Sequence, residues 1–247
     1  DPLESGPLKQ RPVSIASVLY RAHSSTRHGQ LTLWMMGWCH GSFRGGVPQG
    51  DVKDLTLEMG LDVEAALLDE EPLWGLNEDT RKYYDTIVRE IIWASAELLG
   101  LPAWFADSQR RFYTGLQRMF KYGRALGPLH HTLVSVLQGC ALSQIWANLD
   151  GSCWAWAVEE AAKVKVGGFI DDKGMRARAR AGVQKGADAS TEYHRMVGQD
   201  VEPTKSKGWC TDRAARGAEE KFRLADAEVD WVDADKVLGV EHQYIGT

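Results

Sequence analysis

Two adjacent carboxylates, Asp171 and Asp172, close an apolar run in the segment GGFIDDKG of this 247-residue chain. Like charges side by side repel, so an Asp pair delivered to a turn by a strand suits a hard divalent cation, Mg2+ or Mn2+. The same pair is also ordinary hairpin-turn chemistry. Other residues of note are Asp79, Tyr84 and Asp85 in NEDTRKYYDTIV, Gln138, Gly139 and Ser143 in SVLQGCALS, Lys205 in PTKSKGW and Arg11 in RPVSI. For Tyr83 and Tyr84 the plain alternative is packing at a helix start. Asp62, in GLDVEAALLDEE, is a rival to Asp79, but Leu67 stands five places on where Asp79 is followed by Tyr84. Cys39, Cys140, Cys153 and Cys210 lie far apart without a CxxC pair, which argues against a zinc site or a disulfide framework and for a reducing, intracellular compartment, nuclear or cytoplasmic. His130 and His131 have no carboxylate or thiol at ligand spacing and read as loop residues.

The elements that must position these groups follow from periodicity. SVLYRAHSSTRHGQL predicts a short amphipathic helix, Gly45 to Gly50 a turn or loop, and the acidic, Leu-rich text from Val52 to Trp74 a short surface helix. Ile87, Ile91, Ala94 and Leu98 recur at spacings of three and four and predict a helix with these residues on one face, closed by Gly100 and Pro102. A second helix follows directly in AWFADSQRRFYTGLQRMF, then a turn from Gly123 to Pro128, then a helix from about Cys140 with Trp146, Cys153 and Trp156 on or near its apolar side. VKVGGFI and the text after the Asp pair predict two strands around a tight acidic turn, and a further helix spans about Arg180 to Val197. VEPTKSKGW and DKVLGVEHQYIG are short and strand-like. Helices and strands alternate irregularly, so the expected class is α+β.

Composition limits the function classes. Hydrophobic residues make up 44% of the chain, enough for a globular core. No stretch approaches the roughly 20 apolar residues of a bilayer span, and the first residues have neither a signal-peptide core nor an initiator Met, so a soluble fragment without membrane partners is expected. The net charge of −5 by itself argues against nucleic-acid binding, but the charges are segregated. Acidic residues crowd Asp51 to Asp79. Arg110, Arg111, Arg118, Lys121 and Arg124 form one basic run, and Lys163, Lys165, Lys173, Arg176, Arg178 and Arg180 another. Both runs are candidates to face phosphates, and both are equally readable as solvated surface.

In order along the chain, these segments resemble the motifs of reverse transcriptases. RPVSI resembles the Arg-Pro-Ile-Ser finger segment, NEDTRKYYD the first palm motif, LQGCALS the second, FIDD the third, TKSKG the Lys-centred fourth and the Leu238-Gly239 turn the fifth. The resemblance runs from Arg11 to about Val240, and FIDD and LQGCALS are closest in style to non-LTR retrotransposon and group II intron enzymes. It implies a right-hand polymerase palm, an antiparallel sheet with helices packed on one face, plus partial fingers. Residues 1–78 would be a fingers-like segment with an acidic insertion, and 79–247 the palm, with finger elements around 95–135. It further implies an RNA-directed DNA polymerase that uses Mg2+ (or Mn2+), with an RNA or DNA template, a primer and deoxynucleoside triphosphates as partners. Asp79, Asp171 and Asp172 would hold the metal, Tyr84 would exclude a 2′-hydroxyl, Gln138 and Gly139 would line the nucleotide pocket, Lys205 would serve the departing pyrophosphate, and Arg11 would reach the triphosphate. The helical thumb of such enzymes is expected to be missing.

Several positions depart from the family pattern: the text before Gln138 lacks the glycine often found there, and Glu202 and Pro203 stand where Leu and Asn are common. Glu78 takes the apolar place before Asp79, a cost unless it is paired or exposed, and Lys173 follows the Asp pair, where an internal ion pair would compete with metal. The alternative these departures suggest is a catalytically silent reverse-transcriptase-like domain that acts as a nucleic-acid or protein-binding module.

Overall fold

The computed structural model describes residues 14–245. Arg11 lies outside them. Helices α1 (Val18–Met36) and α2 (Val52–Leu68) precede strand β1 (Trp74–Glu78), and α3 (Tyr83–Thr86), α4 (Arg89–Leu98) and α5 (Ala103–Gly115) follow. A small hairpin, β2 (Lys121–Tyr122) and β3 (Ala125–Leu126), leads into α6 (Ala141–Ala162), the hairpin β4 (Lys165–Phe169) and β5 (Asp172–Ala177), and α7 (Arg180–Val197). The described chain ends with β6 (Lys207–Cys210), α8 (Arg213–Gly217), β7 (Arg223–Leu224), β8 (Ala227–Glu228), β9 (Asp230–Trp231), β10 (Ala234–Val237) and β11 (Val240–Gln243).

The central sheet has the order β4-β5-β1-β6-β9, antiparallel except for the β6/β9 pair. Period-2 alternation gives it two unlike faces. Trp74, Leu76, Val166, Met175 and Cys210 pack with α6 and α7 into one core. From the other face Trp209 joins Met59, Val63 and Ala66 of α2, and its indole stacks on Tyr244 at 4.3 Å. A Cβ on Gly75, paired with Trp209 across the β1/β6 ladder, would come within 2.1 Å of that indole. The expectation of helices on one face only is thus corrected: α2, fixed at its start by an Asp51–Asp54 capping box, lies on the second face.

A third packing layer is helical. α1, α4 and α5 share a core with the first half of α6, where Trp93, Phe105 and Trp146 meet. Helix α6 therefore serves both cores, and along its 22 residues, about 33 Å, it is buried on nearly every side. In α4 the buried residues are Arg89, Ile92, Trp93 and Ala96, whereas Ile91, Ala94 and Leu98 of the expected apolar face are exposed. Trp93 is the largest apolar side chain in the helix, and burying it turns the helix by one residue. The strand-like reading of the C-terminal text holds for Ala234–Val237 and Val240–Gln243, but the helix expected to run to Trp74 ends at Leu68, and the text after Leu73 is the central strand β1.

Candidate functional site

The β1/β5 register pairs Glu78 with Lys173, so Asp79, one residue past the strand, stands beside Asp172, while Asp171 sits in the β4/β5 turn. Asp79 is held by its backbone: its N–H donates to Ser206 Oγ at 3.1 Å and its carbonyl accepts from Glu202 N–H at 2.9 Å. Those bonds zip residues 79–81 against 200–206 and bring Lys205 alongside. A second zipper, Val136 N–H to Tyr84 O at 3.0 Å and Ser135 N–H to Ile87 O at 2.9 Å, carries Gln138 to Tyr84. Its neighbour Tyr83 turns inward, with its hydroxyl donating to Ala147 O at 3.0 Å, which leaves Tyr84 directed at the open side.

The result is one cavity of about 1150 Å3 that Asp79, Tyr84, Gln138, Asp171 and Lys205 line together. Asp172 faces a smaller cavity of about 180 Å3, which it shares with Asp79 and Lys205. Burial, and then the nearby Asp171 carboxylate, push the Tyr84 hydroxyl up to about 12. Gly139 follows Gln138 with φ +89, a conformation suited to a residue without Cβ. Ile170, in the turn before Asp171, has φ +63, costly for a β-branched side chain, and is braced by Gly45, where a Cβ would lie 2.6 Å from it. The loop carrying Gly45 is itself tied to β4, with Gly168 N–H donating to Ser42 O and Arg44 N–H to Gly168 O, both at 3.2 Å.

Glu78 and Lys173 point away from these cavities' carboxylates into the α6/α7 core, and both are fully buried there. Glu78 accepts from Ser190 Oγ at 2.5 Å and lies 2.5 Å from His194 Nε2. His194 Nδ1 faces Gln199 Oε1 at 2.9 Å, and Gln199 in turn donates to Asp150 Oδ1 at 3.2 Å. Both ring nitrogens therefore meet acceptors, an arrangement satisfied by an imidazolium. Lys173 Nζ lies 3.5 Å from Asp150 Oδ2 and over the rings of Tyr83, Trp154 and Tyr193, at 5.1, 5.4 and 6.0 Å. Two buried anions thus meet two buried cations. Strand alternation sends the Lys173 ammonium into the core, and its internal ion pair is with Asp150. Burial pushes both carboxyls up, but His194 and Lys173 prevail for Glu78, and Lys173, Tyr83 and His194 for Asp150, so each stays below the usual carboxylate range.

Most of the second basic run is held in ion pairs. Lys165 and Arg176 pair with Glu58 and Asp62 of α2 at 2.6 to 3.3 Å, and Arg178 pairs with Asp69 at 3.0 Å. Asp62, the rival to Asp79, is spent in those pairs; burial raises its carboxyl, but Lys165 and Arg176 hold it below the usual range. His130 stacks on Phe120 at 5.1 Å as part of a hairpin base. Among the described residues no three His, Cys, Asp or Glu side chains form a cluster able to hold a metal ion. Sequence reasoning missed Asp150 and His194. Their signal was a lone Asp within the otherwise apolar ANLDGSCWAW and a His on the buried stripe of α7.

No model of a protein family matches the chain, and no curated protein does. Solved structures do. The apo telomerase of Candida tropicalis, truncated from its C-terminal domain, superposes with a TM-score of 0.64 at 13% identity, over 92% of this chain and 45% of that one. The chain has a reverse-transcriptase-like fold. Candida albicans telomerase in complex with a fragment of telomeric RNA gives 0.56 at 12% identity over 91% of this chain and 36% of that one. The corresponding Candida tropicalis complex gives 0.53 at 15% over 78% and 33%. The chain spans less than half of these telomerases. In the reverse-transcriptase-like fold of this chain, Asp79 directly follows β1 and Asp172 opens its antiparallel neighbour β5. No helix among the described residues is long and apolar enough to cross a membrane.

Proposed function

We propose that the chain is the palm, with part of the fingers, of an RNA-directed DNA polymerase of the non-LTR retrotransposon or group II intron type. The observation that carries this reading is the approach of Asp79 and Asp171, from adjacent strand ends, to one cavity that Tyr84, Gln138 and Lys205 also line. Asp79 and Asp171 would hold Mg2+ or Mn2+, with Asp172 in support, and the bound ions would neutralise phosphate charge and activate the primer 3′-hydroxyl. The chain's own residues do the rest by positioning. Tyr84, whose hydroxyl stays neutral at physiological pH, presents a fixed wall beneath the incoming sugar and excludes a 2′-hydroxyl by bulk, which selects deoxynucleotides. Gln138 and the positive-φ backbone at Gly139 bound the nucleotide pocket. Lys205, beside Asp79, donates a proton or charge to the departing pyrophosphate. Template, primer and deoxynucleotides are the implied partners.

Primer extension on an RNA template with Mg2+ and deoxynucleotides tests this, with Asp171→Ala as control. Extension that disappears in Asp171→Ala supports the reading. Absence of extension from well-folded protein, also after fusion to a helical thumb, would replace it with a silent nucleic-acid or protein-binding domain.

A further inference from the structure

Residues 108–149 contain five Lys and Arg and no Asp or Glu, in a chain whose net charge is −5. The hairpin at the centre of this segment is open to solvent on both sides. Tyr122 and Phe120 are 72% and 64% exposed, and Lys121 and Arg124 beside them make no ion pair among the described residues. Apolar rings left uncovered in a cluster mark a surface that something covers.

The hairpin is firmly rooted although its tip is bare. Arg118 and His130 exchange backbone hydrogen bonds of 2.9 and 2.8 Å, Arg118 Nη1 donates to Ser135 Oγ at 2.8 Å, and the guanidinium of Arg89 binds the carbonyls of Leu133, Thr132 and Tyr113. Phe120 is held flat against His130, with 13° between their planes. Phe120, Arg118 and His130 also line the cavity of Asp79 and Asp171, so hairpin and cavity form one continuous surface.

We infer that the β2–β3 hairpin is a platform for single-stranded nucleic acid, on which unpaired bases stack on Tyr122 and Phe120 while Lys121 and Arg124 meet the phosphates, guiding a strand towards the Asp79–Asp171 cavity. The choice of a template as that strand rests on the polymerase reading; the binding itself does not. Flat exposed rings interleaved with cations suit unpaired bases, which offer π-faces, better than a duplex, whose faces are stacked away. In the other basic run Lys165 and Arg176 pair with α2, Lys173 with Asp150 and Arg178 with Asp69, whereas Lys121 and Arg124 have no ion pair among the described residues.

The test is fluorescence anisotropy of the whole chain with a labelled, unstructured oligoribouridylate, against Tyr122→Ala, Tyr122→Trp, Lys121→Gln/Arg124→Gln and Lys185→Gln. Tyr122→Ala is expected to weaken binding roughly tenfold, and Tyr122→Trp to retain it. The Lys121→Gln/Arg124→Gln pair is expected to lower the slope of log affinity against log salt by about 1.4. Lys185→Gln, an exposed lysine of α7 that lines neither the hairpin nor the cavity, is expected to bind as the parent does. Equal binding by all hairpin variants overturns the inference even if primer extension succeeds, and hairpin-dependent binding without extension overturns the polymerase reading alone. Preference for a duplex, or no RNA binding together with a self-association that Tyr122→Ala abolishes, also overturns it, in the second case in favour of a protein partner.

Discussion

Replacing Lys173 by Met should destabilise the protein far more than a surface lysine substitution would. Its side chain is fully buried, its ammonium lies 3.5 Å from Asp150 Oδ2, and three aromatic rings surround it. Methionine keeps the stem's packing but strands Asp150, whose Oδ1 retains the Tyr193 hydroxyl at 2.9 Å and the Gln199 amide at 3.2 Å and whose Oδ2 loses its cation. Removing one partner of a buried pair costs about 3 to 5 kcal/mol. For a chain of this size that lowers Tm by about 6 to 20 °C. The assay is urea denaturation, in which the midpoint should fall with an unchanged slope. Adding Asp150→Asn, which keeps an acceptor for Tyr193 while removing the stranded charge, should restore most of the loss. A single-variant loss under about 1 kcal/mol, or two losses that simply add, would refute a coupled buried quartet.

Acid should find the same network. Because Glu78 and Asp150 are held below the usual carboxylate range in the folded protein, the stability they contribute is complete above about pH 5 and drains as pH falls through that range; urea midpoints measured downwards from neutrality should drop, and less steeply in Lys173→Met/Asp150→Asn. Gly75→Ala drives a methyl into the Trp209 indole and should cost about 1 to 3 kcal/mol in the same denaturation assay, with Trp fluorescence reporting the displaced ring. If the polymerase reading holds, Tyr84→Ala should admit ribonucleotides, read as the ratio of ribo- to deoxynucleotide incorporation rising at least about tenfold. An unchanged ratio in an active variant would remove Tyr84 from the nucleotide pocket.

The sequence carried the helices and the acidic hairpin well, because each is local. α7 ends at Val197, as its stripe predicts, before Gly198 at φ +71, and the two strands around Asp171 and Asp172 are read directly from an apolar run broken by acids. The gathering of Asp79, Tyr84, Gln138, Asp171 and Lys205 on one cavity followed the order of motifs along the chain, an inference by resemblance rather than from any single spacing. What failed was non-local. β1 is five residues long and follows acidic text and Pro72, so its central place in the sheet comes from partners about 100 residues or more away, β5 and β6. The face of α4 was misread by one residue because Ile91 and Leu98 advertise a stripe that the bulk of Trp93 overrides.

The charges show the same limit in a sharper form. Glu78 and Lys173 each looked like a fault in a catalytic strand, because a strand sequence states only that alternate residues take opposite faces and not what waits on each. Asp79 and Asp172 occupy the positions next to them and therefore turn the other way. The α6/α7 side then supplies His194 and Asp150, so Glu78 and Lys173 meet two partners that no strand motif contains. Since each buried charge alone would cost several kcal/mol, the four are tolerable only together. These two departures are therefore one compensated feature of the core beneath the carboxylates, and they do not count separately against the site above it.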